Sequence, residues 1–303
     1  MQTVLFCVVG SDVAYAVARG LARLMYWLLW PLRERSEAQC RAALGDTLSD
    51  KQIEHVARES FVQRTLNLTD LKLAPRLLHP GTYVRCGGRV PEPYRSDLLD
   101  AQRRGQPAIL LSAYYGPYDL LPVMLGFDGI RAGVVYAPHL NAEFDAFRRR
   151  VRQRGGWETV PVDRAVERLP QILEAGGTVA IVADHHVEQR RGIPVEFMRM
   201  PTTALRTVGL FAWRYDADVV VAGIRRLPRK AFRFEIVIAD VIKHAAWQGE
   251  PDAVRYITER YMRGLESLVR LDPTQYLWAH ARWGEDLARE LAGHEGGGVQ
   301  SDG

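Results

Sequence analysis

Hydrophobic positions along this chain change their period at two points. Residues 13–32 are apolar except for Arg19 and Arg23, which lie four apart and so share one face of a helix. Residues 36–78 repeat apolar positions at helical spacing. Ser49 and Gln52 form a capping-box pair within this run, and His79-Pro80-Gly81 ends it. Residues 83–86 read as an edge strand before a Gly-Gly turn, and 93–102 as a helix. Residues 107–113 are then an unbroken apolar run of strand length, the pattern of a strand buried on both faces. Strand-length runs at 132–137, 157–161, 178–183 and 219–224 follow, with helical patterns at 118–127, 141–154 and 165–174 between the earlier ones. Residues 232–238 alternate and read as an antiparallel strand, and 252–269 form a closing helix. Strands alternating with helices predict a single α/β domain: a central, mostly parallel mixed sheet flanked by helices, behind an N-terminal helical segment.

The turn after the first buried strand draws most of the candidate chemistry. Gly116-Pro117 breaks the chain, Pro117 suits a first helical position, and Asp119 falls in the first turn, where the helix dipole favours a carboxylate. Tyr114 lies just past the strand. His139 follows the second strand of the alternating region and Asp184-His185 follows a later one. In an open parallel sheet the carboxyl ends of strands converge on one crevice, so Tyr114, Asp119, His139, Asp184 and His185 are expected there together. A phenol titrates near ~10, so Tyr114 is a hydrogen-bond donor rather than a base at neutral pH. His185, then His139, are the candidate bases. The alternatives stay open: Tyr114 and Tyr118 as packing at the sheet's end, and the histidines as exposed loop residues. The arginines of 148–154 read as a solvated helix surface that also suits an anionic membrane.

The central stretch PAILLSAYYGPYDLL resembles the motif block of the lysophospholipid and lipid A acyltransferases. That family carries a His, four residues, then Asp or Glu; Tyr114 stands at the His position, with Gly116 and Asp119 in place. VVYAPHLNAEFD is similar to the family's strand, Pro and Asn before a helix, which brings in Asn141, although Ala137 stands where an Arg is usual. VAIVADHHVEQRRGIPVEFMRMPTT is similar to its segment with a strand ending in Asp-Gln, with His185 in place of the Gln after Asp184. PTQYLWAHARW is similar to its C-terminal signature. The resemblance runs from about residue 13 to Trp283. It implies acyl transfer from acyl carrier protein or coenzyme A thioesters, which are co-substrates and not cofactors, to a hydroxyl of a membrane lipid of the lipid A precursor or lysophospholipid type. Asp119, Tyr114, His185 and His139 are the catalytic candidates. Gly116, Asn141, Asp184, Arg191 and Arg199 are the substrate-binding ones. The alternative is a catalytically degenerate acyl- or lipid-binding relative.

Composition narrows the setting. The chain has 303 residues, 47% of them hydrophobic and 25% charged, the balance of a globular protein. A net charge of +4 suits an anionic membrane surface or phosphate-bearing substrates. No nucleic-acid motif accompanies it, so no nucleic-acid partner is expected. Cys7, Cys40 and Cys86 make neither a disulfide framework nor a zinc pattern, and no metal is expected. There is no Gly-x-Ser-x-Gly frame for a serine hydrolase and no Rossmann or Walker loop. No small-residue cleavage site follows the apolar N-terminus, so a removed leader is not expected. Its arginines disfavour a clean span; Tyr26, Trp27 and Trp30 suit headgroup anchors instead. Residues 1–35 are therefore expected to associate with the cytoplasmic face of the cell inner membrane, 36–290 to form the α/β domain, and 291–303, Gly-rich and polar, to be disordered.

Overall fold

The computed structural model describes residues 10–228 and 230–284. Cys7, the start of the apolar N-terminus and the tail expected to be disordered lie outside the described residues. Three helices come first: α1 (Ser11–Leu28), α2 (Trp30–Leu44) and α3 (Asp50–Leu77). The run read as one helical stretch over 36–78 is thus split between α2 and α3. The break falls before the Ser49 capping box, where Gln52 Oε1 accepts from Ser49 N at 2.9 Å and from Ser49 Oγ at 2.8 Å. α4 (Tyr94–Arg103) leads into the sheet.

The sheet has six strands in the order β3-β2-β4-β1-β7-β8. They are β1 (Ala108–Ser112), β2 (Gly133–Tyr136), β3 (Glu158–Pro161), β4 (Thr178–Val182), β7 (Asp218–Arg226) and β8 (Phe234–Ile242). β1 pairs in parallel with β4 and β7, β2 in parallel with β3 and β4, and β7 antiparallel with β8. The predicted mostly parallel mixed sheet is therefore present. Between strands run α5 (Leu121–Phe127), α6 (Ala142–Gln153), α7 (Ala165–Glu174), α8 (Arg206–Arg214) and the closing α9 (Ala253–Leu271).

β1 is buried along its whole length because both sheet faces are covered. Ile109 and Leu111 pack into a core shared with α2, the first half of α3, α8 and α9. Leu110 points the other way, into a core built from α1, the second half of α3 and α5. α3 therefore spans both cores and ties the N-terminal helices to the sheet.

Three local readings differ from the sequence expectation, one of them α8, which the pattern did not announce. Residues 83–86 are not a strand but helical turns, with Cys86 N donating to Thr82 O at 3.0 Å and Gly88 N to Tyr83 O at 2.8 Å. A hairpin that the pattern did not announce joins β5 (Gly192–Phe197) to β6 (Met200–Leu205). Its two-residue turn puts Met198 at φ 52° and Arg199 at φ 64°. Such turns ordinarily advertise themselves through Asn or Gly, and Met-Arg does not.

Ile109→Ala removes a fully buried side chain between β4 and β7 and is expected to cost about 2–5 kcal/mol of unfolding free energy in a denaturant titration. Leu140→Ala, at a fully exposed position, should stay within about 0.5 kcal/mol of wild type. Equal effects of the two would contradict the core described above.

Candidate active site

The parallel pairing brings the carboxyl ends of β1, β4 and β2 to one edge, and with them Tyr114, Asp184-His185 and His139. Between β1 and α5 the chain makes a sharp turn at Gly116, followed by a single 3-10 turn (Tyr118–Leu120) that carries Asp119. Gly116 has φ +54°, and a Cβ there would lie 1.9 Å from the Ile224 carbonyl oxygen of β7, so no side chain fits. The turn is held by the C-terminal signature. Gly116 N donates to Gln275 O at 2.9 Å, Leu277 N donates to Tyr114 O at 3.0 Å, and Tyr115 and Tyr276 pair as an antiparallel bridge. The signature thus works as a strap beneath the motif turn.

Asp184 is fully buried, and its Oδ2 accepts from Tyr114 N at 3.0 Å. It joins the end of β4 to the start of the turn instead of presenting its carboxylate to the crevice. Arg282, also fully buried, adds a compensating charge; its Nη1 donates to Thr202 Oγ1 at 3.0 Å and its guanidinium lies over the Phe197 ring. Burial lowers the Arg282 pKa, and the nearby tyrosines and Asp184 oppose that. Tyr276 is raised by burial and by the Asp184 charge, which keeps its hydroxyl protonated.

Asp119 does not face Tyr114 as a partner. It accepts from Arg148 Nη2 at 3.1 and 3.2 Å and from Arg152 Nε at 2.9 Å, with a further bond from Arg152 Nη2. Arg148 and Arg152 stand four apart on α6, so both reach the same carboxylate. This corrects the reading of 148–154 as a solvated surface at Arg148 and Arg152 alone: Asp119 is only 14% exposed and the two guanidiniums are similarly covered, whereas Arg149, Arg150 and Arg154 are exposed as expected. Burial by itself would raise the Asp119 pKa; Arg152 and Arg148 outweigh it and hold the carboxyl below its ordinary value.

Tyr114 packs edge-to-face against Tyr118 and His280, with ring centroids 5.1 and 5.0 Å away. Burial, then the Asp184 charge, raises its pKa, so the phenol is a donor across the physiological range. His280, which the sequence marks only as part of the signature, is therefore the imidazole in contact with Tyr114. His185 Nδ1 lies 3.1 Å from the Val182 carbonyl oxygen. A carbonyl only accepts, so Nδ1 carries the proton and Nε2 keeps its lone pair. Burial lowers the His185 pKa against the opposing pull of Asp184, which favours the neutral ring.

His139 is exposed and takes part in the entry to α6. Its Nδ1 accepts from Asn141 N at 3.0 Å, its own backbone N donates to Asp145 at 2.9 Å, and Asn141 Oδ1 caps the helix through Phe144 N at 2.9 Å. With Nδ1 engaged in this turn, His139 and Asn141 shape a helix N-terminus at the sheet's edge. Arg191 is exposed in a 3-10 turn (Gln189–Arg191), and Arg199 pairs with Asp46 at the β5–β6 turn. Those two arginines were expected together as substrate contacts. They belong to the hairpin layer, where Arg199 already has a carboxylate.

Beside the turn an apolar cavity of about 50 Å³ runs between the sheet and α5. Leu110, Val134, Ala180, Leu121, Leu125 and Trp157 line it, and Tyr118, Asp119 and Arg152 contribute its polar atoms. The cavity is thus a small apolar space in the core beside α5, edged by charged groups near the carboxyl ends of the strands. The chain belongs to the bacterial lipid A biosynthesis acyltransferase family, which it matches over residues 95–285, and its general class is that of a lipid acyltransferase. A comparison with curated proteins finds no match.

Asp119→Asn would leave two covered guanidiniums without their carboxylate, and an expected loss of about 3 kcal/mol at pH 7 follows. The folded-state pKa of Asp119 is depressed, so its contribution is present above the ordinary carboxylate value of about 3.9 and is lost as pH falls through the lower folded value. Wild type and variant should therefore differ at neutral pH and converge in acid. Parallel stability curves down to the acid limit would contradict the pairing.

Proposed function

We propose that this protein transfers a fatty acyl group from an acyl carrier protein or coenzyme A thioester to a hydroxyl of a membrane lipid of the lipid A precursor or lysophospholipid type. The observation that carries this reading is the apolar slot rimmed by Tyr118, Asp119 and Arg152 beside the family's motif turn. Hydrocarbon walls favour the first carbons of an acyl chain, and Arg152 at the rim favours an anionic or carbonyl group there. In this reading the acceptor oxygen attacks the thioester carbon, His185 Nε2 takes the hydroxyl proton, and the Tyr114 hydroxyl hydrogen-bonds to the oxyanion that develops. The carbon–sulfur bond then breaks, and the thiolate leaves with the proton returned from His185. Asp184 supports the turn from beneath, Gly116 gives it shape, and Asn141 orders the neighbouring helix entry.

A second reading has its own support. Asp119 is bound to Arg148 and Arg152 instead of orienting a base, as expected for a relative that binds acyl groups or lipids without transferring them. Transfer of a labelled acyl chain into a lipid extract separates the two. His185→Ala should lower transfer by about 10²–10⁴-fold, and Tyr114→Phe by about 10²–10³-fold. Because burial lowers the His185 pKa, the rate should rise with pH through a value below 6.5 and be flat at neutrality. Activity that survives His185→Ala would remove it as the base. A wild type that binds thioester and transfers nothing favours the second reading.

Membrane association at the cytoplasmic face of the cell inner membrane completes the proposal. Among the described residues no helix is long and apolar enough to cross a bilayer. α1 instead keeps Val13, Val17, Leu21, Leu24 and Trp27 exposed along one side, continued by Trp30. Trp27 and Trp30, 57% and 58% exposed, suit interfacial anchoring. Tyr26 does not, since it is fully buried with its hydroxyl donating to Glu37. The double variant Leu21→Glu, Trp27→Glu should stop co-sedimentation with anionic phospholipid vesicles at nearly unchanged stability. Sedimentation equal to wild type would contradict the docking face.

A further inference from the structure

Arg226, at the end of β7, is 3% exposed, and its side chain gathers polar groups from two elements, α1 and α3. Its Nη1 donates to Asp70 Oδ1 at 2.9 Å and to the Tyr15 hydroxyl at 3.1 Å, its Nε to Gln63 Oε1 at 2.9 Å, and its Nη2 to Asn67 Oδ1 at 3.0 Å and also to Asp70. Gln63, Asn67 and Asp70 all lie on α3, spaced so that they share a face toward β7. Burial of this kind fixes rotamers, since an arginine with five donors in a planar fork has one arrangement that serves all its acceptors.

One of those acceptors reaches the motif turn. Asn67 accepts from Arg226 through Oδ1, so its amide nitrogen is aimed the opposite way, and Nδ2 donates to the Gly116 carbonyl at 2.7 Å. On the other side of the same residue, Gly116 N donates to Gln275 O at 2.9 Å. Gln275 is locked to Arg226 in turn: its Oε1 accepts from Arg226 N at 2.6 Å and its Nε2 donates to Arg226 O at 2.9 Å. Both backbone polar atoms of Gly116 are thus gripped by groups that Arg226 orients.

We infer that Asn67 is a positioning residue: through the Arg226–Asn67–Gly116 chain it sets the conformation of the turn that carries Tyr114 and Asp119 to the substrate. The inference rests on the acyl-transfer reading for its effect on rate, and on geometry alone for its effect on the turn. Neither Asn67 nor Arg226 lines the apolar slot, so the effect falls on the alignment of the reacting groups and not on acyl binding.

Asn67→Asp tests it. The carboxylate still accepts from Arg226, but it cannot donate to Gly116 O and repels that carbonyl. Gln63→Ala is the control, because it removes a bond to Arg226 and leaves Gly116 untouched. Two readouts are made on the full-length protein: amide hydrogen exchange over residues 113–120, and transfer of a labelled acyl chain with kcat and KM separated. The expected result for Asn67→Asp is exchange in that segment about tenfold faster, from loss of one hydrogen bond and a new repulsion. Its kcat should fall about 10²-fold, the scale of a small misplacement of reacting groups, with KM for the thioester unchanged. Gln63→Ala should change neither exchange nor kcat. Unchanged exchange in Asn67→Asp overturns the inference, and so does an equal response from Gln63→Ala, which would mark a general loosening of the Arg226 cluster. If the wild type transfers nothing while the exchange results hold, the positioning of the turn stands and the acyl-transfer reading is what fails.

Discussion

Gly116 can take its place only because it has no side chain. Its φ of +54° turns the chain sharply at the end of β1, and the Ile224 carbonyl occupies the space a Cβ would need. That close approach of two backbones lets the turn sit against β7, where Gln275 and Asn67 reach it from opposite sides. Everything proposed for the site follows from this constraint. Tyr114 leaves the strand on the near side of the glycine, and Asp119 enters the helix on the far side. A residue larger than glycine would push the turn off β7 and separate both from the groups that hold them.

The charges around the turn are arranged in two layers with different tasks. The deeper layer, Asp184 with Arg282 and the Arg226–Asp70 pair, is fully or nearly fully buried and bonded to backbone and side chains of several elements. A buried pair such as Arg226–Asp70 adds little net stability over an apolar substitute but is costly to break singly, so it specifies one arrangement of the elements it joins. The shallower layer, Asp119 with Arg148 and Arg152, borders the apolar slot and ties the 3-10 turn to α6. The Tyr114 phenol fits beside this second layer, because Asp119 is already bonded to Arg148 and Arg152. An imidazole would compete for Asp119 as a partner, whereas a phenol whose pKa burial has raised needs no carboxylate to keep its proton.

α1 stands apart from both layers yet is bonded to one of them. Its outward side carries exposed Leu, Val and Trp, while inward its Tyr15 hydroxyl bonds to Asp70, Arg226 and Phe232 N. The helix that would lie on a membrane is thereby joined to the α3–β7 cluster that supports the motif turn. Burial of small alanines at positions 14, 18 and 22 lets it approach α3 closely and leaves the large apolar side chains for the outside.

Periodicity was enough to read the α/β class, the buried strand at 108–112, the other sheet strands, the helices between them up to 174, the closing helix and the antiparallel last strand, but not α8, because the apolar pattern records directly which faces are covered only where it is regular. The capping box at Ser49 was legible for the same local reason. The alternation of strands and helices marked Tyr114, Asp119, His139, Asp184 and His185 as one locality, and the parallel sheet does bring them to one edge. Partnership was not legible. Arg148 and Arg152 look like a surface charge run until α6 packs against the 3-10 turn and aims them at Asp119. The hairpin at Met198-Arg199 lacks the residues that announce such turns. Asn67, Gln275 and Arg226 lie far apart in sequence and carry no motif that links them; their hydrogen bonds exist only after α3, β7 and the C-terminal strap have met around Gly116. Local sequence determines which segments become helix or strand, since that choice is made over a few residues. Which polar side chain finds which partner is decided by the tertiary structure, because burial removes water as the competing partner and leaves each group only the neighbours that the packing supplies.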